Sequence, residues 1–98
     1  MSARVGIGFD VHPFSDRPDR PLVLGGVTLA AERGLAGHSD ADVVAHAVAD
    51  ALLGAAGLGD LGERFPDDDP AWAGADSLDL LARVVEAVAD TGGSTKKR

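Results

Sequence analysis

Two short stretches of this 98-residue sequence bring carboxylate and imidazole side chains close together. Asp10 and His12 are two residues apart, and alternate residues of a strand project from the same face. Asp42, His46 and Asp50 are spaced by four residues, which places them on one face of a helix. Each pattern also occurs without a ligand, as a surface ion pair or as a histidine buried among apolar neighbours. Taken together, Asp10, His12 and His46 form a ligand set of two histidines and one carboxylate.

This ligand set leaves one coordination position open, as catalytic zinc sites do, and it also suits the iron of non-haem oxygenases. The types of ligand alone do not separate the two metals. The carboxylates of Asp42 and Asp50, one helical turn away on either side, are expected to orient the ring of His46. Ser39 is interpreted as a helix cap and not as a nucleophile beside His38, because no nucleophile-elbow motif surrounds it.

A third polar cluster is the loop of residues 59–70, in which three consecutive aspartates stand between two prolines. An aspartate run by itself is typical of a solvated surface. The prolines restrict the backbone, and Phe65 and Trp72 supply apolar anchors beside the run. The pattern therefore predicts a loop of defined shape.

The elements that position these residues begin with residues 4–12. Val5, Ile7, Phe9 and Val11 alternate with polar residues and glycines, which predicts a strand. We expect the apolar face of this strand to pack on a core. The face that carries the glycines is expected to stay open, so that something can approach the backbone closely.

The second predicted strand covers residues 21–29 and is interrupted at Gly25-Gly26 by either a bulge or a tight hairpin. The clearest helix covers residues 39–57, with Ser39 as N-cap in a capping box with Asp42 and with Gly57 as C-cap.

After a loop over residues 58–75, a second helix is predicted over about 77–91, capped by Asp76 or Ser77. Its apolar stripe consists of Leu78, Leu81, Val84, Val85 and Val88. The sequence thus predicts a single mixed α+β domain over residues 1–91, with a sheet packed on helices on one side. Residues 92–98 are expected to form a polar, mobile tail.

Composition excludes several functional classes. Hydrophobic residues make up 45%, but 17 of them are alanines and only four residues are aromatic, so we expect a small core. The net charge of −7 disfavours nucleic-acid binding. No apolar run is long enough to span a membrane, and no signal peptide is expected. Cysteine is absent, which excludes disulfides and thiolate metal sites and fits a reducing, cytoplasmic location.

Three segments together carry a resemblance to a known family: GFDVH, GLAGHSDADVVAHAVADALLGAAGLGDLG and FPDDDP. Over residues 4–90 the sequence resembles 2-C-methyl-D-erythritol 2,4-cyclodiphosphate synthases of the non-mevalonate isoprenoid pathway. The resemblance implies a homotrimeric phosphorus–oxygen lyase. The 2-phosphate of 4-diphosphocytidyl-2-C-methyl-D-erythritol 2-phosphate would attack the β-phosphorus, so that CMP leaves and a cyclic diphosphate forms.

The resemblance also implies roles for individual residues. Zinc would be held by Asp10, His12 and His46, and magnesium or manganese would accompany the substrate diphosphate. His38 would stabilise the transition state, and Asp50 would act as an acid behind the zinc ligands. The implied substrate contacts are Asp10, His12, His38, Ser39, Asp60, Leu61, Gly62, Phe65, Pro66, Asp67, Asp68 and Asp69.

The resemblance is to the N-terminal portion of the family pattern. The later segments, which carry the cytosine and diphosphate contacts and further strands, have no counterpart among these 98 residues. We therefore expect two strands and two helices here, with the later strands missing. A second hypothesis remains open, that the chain is an inactive metal-binding remnant or a partner of full-length subunits.

Overall fold

The computed structural model describes residues 3–37, 39–66 and 69–93. It is a mixed α+β structure, as predicted, with helices beside a two-stranded antiparallel sheet. The strands are β1 (Leu22–Leu24) and β2 (Val27–Leu29), and the helices are α1 (Val43–Ala56), α2 (Leu61–Arg64) and α3 (Ser77–Val88). Two short turns complete the elements, a 3₁₀ turn at Pro70–Trp72 and a π-type turn at Ala89–Gly93.

Of the two alternatives for residues 21–29, the structure has the tight hairpin. Leu24 pairs with Val27 across a two-residue turn. Gly25 and Gly26 have φ angles of 61° and 82°, the left-handed region that glycine enters without steric cost. Positive φ at both central residues is typical of the tight turns that match the twist of a hairpin.

The first helix begins later than predicted, because its N-cap is Asp42 and not Ser39. The Ser39 hydroxyl accepts a hydrogen bond from the backbone N–H of Ala41 at 3.2 Å. Ala41 itself has a left-handed φ of 59°, so the chain cannot be helical before Asp42. At the other end Gly57 caps the helix with a φ of 71°, as predicted.

Asp42 also ties the hairpin to α1. Its carboxylate accepts hydrogen bonds from the backbone N–H groups of Gly25 at 2.8 Å, Gly26 at 2.6 Å and Ala45 at 3.0 Å. The side chain is fully buried. The carboxylate of one residue therefore satisfies backbone N–H groups in the hairpin turn and in the first turn of the helix.

The core lies between α1 and α3, where Ala49, Leu53 and Val84 are buried. Asp76 caps α3, which ends at Val88, and the predicted helix end near residue 91 falls within the π-type turn that follows it. The predicted stripe of α3 is correct only in part. Leu80 is buried although the prediction omitted it, and Leu78 and Val85 are exposed. None of the helices in the described part of the chain has the length and apolar character needed to cross a membrane.

The predictions for residues 4–12 are wrong in two respects. Among the described residues these form no strand ladder, and only an isolated bridge between Phe14 and Leu35 follows them. The apolar face is also open, with Val5, Ile7, Phe9 and Val11 between 68% and 91% exposed.

The face with the glycines lies against α1 instead. A Cβ atom on Gly8 would come within 1.7 Å of the carbonyl oxygen of Ala47, and one on Gly6 within 2.0 Å of that of Ala51. The backbone of α1 therefore makes the close approach that these glycines permit.

We expect Gly8→Ala to destabilise the protein by about 1–3 kcal/mol, because its methyl group would collide with backbone atoms of α1. Gly54→Ala on α1 is the control, since its Cβ would meet only the carbonyl oxygen of Ile7 at 3.9 Å. Alanine favours a helix, so Gly54→Ala should stabilise by up to about 1 kcal/mol. Urea unfolding measures the free energy of unfolding of both variants. Equal values for the two variants would contradict the close packing at Gly8.

Candidate metal centre

Asp10, His12 and His46 meet at one point, although they come from two separate parts of the chain. The Oδ2 atom of Asp10 lies 2.9 Å from Nε2 of His12 and 3.2 Å from Nδ1 of His46. The two ring nitrogens are themselves 3.2 Å apart. All three side chains are half-buried. The grouping expected from residue types and spacing is thus formed in the structure.

The ring of His12 is oriented by the backbone. Its Nδ1 atom lies 2.9 Å from the carbonyl oxygen of Ala36, which can only accept a hydrogen bond. This partner assigns the ring proton to Nδ1, so Nε2 presents a lone pair towards Asp10 and His46. Gly37 follows Ala36, and a Cβ there would lie 3.0 Å from two atoms of the His12 ring.

The ring of His46 is oriented by hydroxyl groups. Its Nε2 atom lies 2.7 Å from Oγ of Ser77 and 3.3 Å from Oγ of Ser39. The neighbouring carboxylates were expected to do this, but both bind backbone N–H groups instead. Asp42 caps α1, and Asp50 accepts the N–H of Leu61 at 2.8 Å. Asp50 therefore positions the start of α2 and makes no hydrogen bond that the structure describes with His46.

With this His12 tautomer, Nε2 of His12 and the carboxylate of Asp10 are two hydrogen-bond acceptors that face each other beside Nδ1 of His46. Two acceptors this close repel each other unless a proton or a metal cation lies between them. Tetrahedral zinc with ligand bonds of about 2.0–2.2 Å separates its ligand atoms by about 3.3–3.6 Å, a few tenths of an ångström more than the separations here. The trio therefore fits a divalent metal ion with little rearrangement, and the imidazole and carboxylate donors suit zinc.

An open cleft of about 310 Å³ adjoins the metal ligands. A volume near this size is at the lower end for small-molecule sites. Its lining includes seven residues that the family resemblance implies as substrate contacts, namely Asp10, His12, Ser39, Asp60, Leu61, Gly62 and Phe65. Phe9, Val11, His46, Asp50 and Leu80 complete it. The cleft thus lies between the candidate metal ligands and residues of the 59–62 segment.

The other predicted contacts lie elsewhere or are not described. Pro66 does not line the cleft, and Asp69 accepts the N–H of Ala71 as cap of the 3₁₀ turn. His38, Asp67 and Asp68 lie outside the described residues. The predicted tail of residues 92–98 also lies mostly outside the described residues, because these end at residue 93, the last residue of the π-type turn.

Asp60 has a structural role in addition to its place at the cleft. Its carboxylate accepts the N–H of Glu63 at 2.8 Å, and Glu63 accepts the N–H of Asp60 at 3.1 Å. This reciprocal pair is a capping box that starts α2.

Sequence reasoning missed three residues that hold the site. Ser77 was expected only as a possible helix cap, and no contact of Asp40 with the site was predicted, yet Ser77 contacts His46 and donates its hydroxyl proton to Asp40. Arg20 was not considered. Its guanidinium donates to the carbonyl oxygens of Gly37 at 3.3 Å and Ser39 at 2.5 Å. No spacing in the sequence links these residues to the metal ligands.

The sequence profile of the YgbB family matches residues 3–97. The chain belongs to the YgbB family. Curated relatives of this YgbB protein carry the name 2-C-methyl-D-erythritol 2,4-cyclodiphosphate synthase. The protein from Symbiobacterium thermophilum is 65% identical over 88 residues, which cover 90% of this chain and 55% of the relative. The protein from Salinibacter ruber is 63% identical over 89 residues, with 91% and 55% covered. These relatives confirm the resemblance found in the sequence.

Solved structures agree with the family assignment of the YgbB chain. A structure described as 2C-methyl-D-erythritol-2,4-cyclodiphosphate synthase superposes with a TM-score of 0.81 at 43% identity, covering 91% of this chain and 58% of the other. The bifunctional IspDF of Campylobacter jejuni superposes with a TM-score of 0.79 at 49% identity, covering 88% and 23%. The chain spans about half the length of the curated relatives it matches.

Proposed function

We propose that this chain belongs to a cyclodiphosphate synthase that converts 4-diphosphocytidyl-2-C-methyl-D-erythritol 2-phosphate to 2-C-methyl-D-erythritol 2,4-cyclodiphosphate and CMP. The observation that carries the proposal is the meeting of Asp10, His12 and His46 at the edge of the cleft. Relatives at up to 65% identity over 88 residues support it through their names.

The metal at this centre is proposed to be zinc, held by Asp10 Oδ2, His12 Nε2 and His46 Nδ1. Bound zinc would supply a Lewis acid for a phosphate oxygen, which neutralises charge as phosphorus is attacked. The chain needs such a cation, because its net charge of −7 would otherwise repel a triply phosphorylated substrate.

The residues of the chain supply position and orientation. Ala36 and Ser77 each hydrogen-bond one of the two imidazole rings and so fix its orientation. Asp50 fixes the N-terminal end of α2 beside the metal ligands, which places Leu61 and Gly62 along the cleft wall. We propose that this wall binds the methylerythritol part of the substrate.

Further parts of the proposal concern residues and partners that the cleft does not include. His38 is proposed to stabilise the transition state, and Arg20 restrains the backbone on both sides of it. Magnesium or manganese is proposed to accompany the substrate diphosphate. The active assembly is proposed to be a homotrimer, which light scattering of the purified protein would measure.

The purified protein, loaded with zinc and magnesium, should release CMP and the cyclic diphosphate in equal amounts. Removal of metal with a chelator should abolish CMP release, and zinc with magnesium should restore it. Chromatography of the nucleotide and phosphorus NMR of the product measure the two outcomes. A protein that binds one zinc ion at this site but releases no CMP would contradict the proposed reaction.

A further inference from the structure

Ser77 occupies a position between the candidate metal centre and the half-buried carboxylate of Asp40. It is the first residue of α3 and is 1% exposed. Its Oγ atom lies 2.7 Å from Nε2 of His46 and also hydrogen-bonds Oδ1 of Asp40. The Asp40 carboxylate further accepts the backbone N–H groups of Ser77 and Asp42, each at 3.1 Å. Three side chains from three segments thus form one continuous hydrogen-bonded chain.

The direction of this chain follows from the number of protons available. An ionised carboxylate only accepts hydrogen bonds, so the single hydroxyl proton of Ser77 must be donated to Asp40. The Ser77 oxygen then has only lone pairs to offer His46. Nε2 of His46 must therefore carry the ring proton, and Nδ1 must be the atom without one.

The other hydroxyl near His46 does not impose a direction. Ser39 Oγ accepts the N–H of Ala41, and its own proton is free to rotate between neighbours, including Ser77 Oγ at 3.4 Å. Since no described carboxylate binds Ser39, this hydroxyl serves equally as a donor or an acceptor to His46.

We propose that Ser77 and Asp40 are positioning residues that hold the proton of His46 on Nε2 and so turn the Nδ1 lone pair towards Asp10 and His12. The inference concerns the same centre as the proposed function and rests on it for metal affinity. The tautomer of His46, however, is a property of the metal-free protein and can be measured independently. Outer partners of histidine ligands typically change metal affinity about 10- to 100-fold.

The test combines nitrogen NMR of the histidine rings in metal-free protein with zinc titration against a chelator. At a pH where histidine is neutral, His46 should be the Nε2–H tautomer. Ser77→Ala should give a mixture of tautomers and lower zinc affinity by about 10- to 100-fold. Ser15→Ala is the matched control, because Ser15 is also buried but its hydroxyl accepts the N–H of Arg17. It should leave tautomer and affinity unchanged.

Asp40→Asn provides a second variant in case Ser77→Ala fails to fold. The new amide can donate to Ser77, which frees the hydroxyl proton for Nε2 of His46 and should shift the tautomer to Nδ1–H. An unchanged Nε2–H tautomer in either folded variant would overturn the inference, even if zinc affinity fell. Wild-type protein that shows the Nε2–H tautomer but binds no zinc would contradict the proposed function and leave this inference standing.

Discussion

His46→Ala should remove tight zinc binding, with a loss of at least about 100-fold in affinity. The change deletes one of three ligand atoms, so its effect should exceed the upper end of what outer partners contribute. The helix should remain, because alanine is the best helix former and His46 lies within α1. Competition with a chromophoric chelator measures the affinity, and circular dichroism measures the helix content.

Val48→Ala is the matched control for His46→Ala, since Val48 lies two residues further along the same helix and is exposed. Its zinc affinity should equal that of the wild type. If His46→Ala kept zinc affinity within about tenfold of the control, the three-residue centre would not be the metal site.

Asp42→Ala should destabilise the fold by about 3 kcal/mol or more, because each hydrogen bond to a charged group contributes about 1.5–3 kcal/mol. The carboxylate accepts hydrogen bonds from three backbone N–H groups, those of Gly25, Gly26 and Ala45. Alanine would leave all three N–H groups without this acceptor. Asp76→Ala is the matched control. Asp76 is also a helix N-cap but is exposed, and among the described residues its carboxylate accepts one N–H, that of Leu78, so about 1 kcal/mol is expected. Urea unfolding that gave equal losses would contradict the linking role of Asp42.

The same carboxylate should make stability depend on pH. Burial by itself would raise the pKa of Asp42, but the N–H groups of Ala45, Gly25 and Gly26 and the nearby His46 outweigh it and lower the pKa below 3.8. A carboxyl whose pKa is lowered by folding stabilises the protein above its unfolded pKa. This stabilisation should be lost as the pH falls below about 4 and through the lowered pKa. In Asp42→Asn, the loss of folding stability below about pH 4 that is due to Asp42 should be absent.

The three residues of the candidate metal centre could be grouped from the sequence because their chemistry depends on residue type and local spacing. Asp10 and His12 are two residues apart, and His46 lies in a helix whose apolar pattern is clear. The partners of these ligands could not be found in this way. Ser77 lies 31 residues from His46, and its contact exists only because α3 packs on α1.

Residues 4–12 show a different limit of the pattern. Alternation established that the two faces of this segment differ, but it did not tell which face would be covered. Large apolar side chains suggested one face, whereas the absence of side chains at Gly6 and Gly8 allowed α1 to approach the other. The start of α1 shows a similar error. Ser39 and Asp42 are both good caps by residue type, and the left-handed φ of Ala41 that decides between them is not visible in the sequence.

The separation of the ligands along the chain has a thermodynamic consequence. Nδ1 of His46 meets atoms that are 34 and 36 residues earlier in the sequence. An ion bound by all three ligands would close that loop. The unfolded chain could bind the ion with the same three ligands only by losing much of its conformational entropy. At a free metal concentration of 100 times Kd, such an ion would add about 2.7 kcal/mol to the free energy of unfolding. For a chain with so small a core, the metal supply would then govern how much of the protein stays folded.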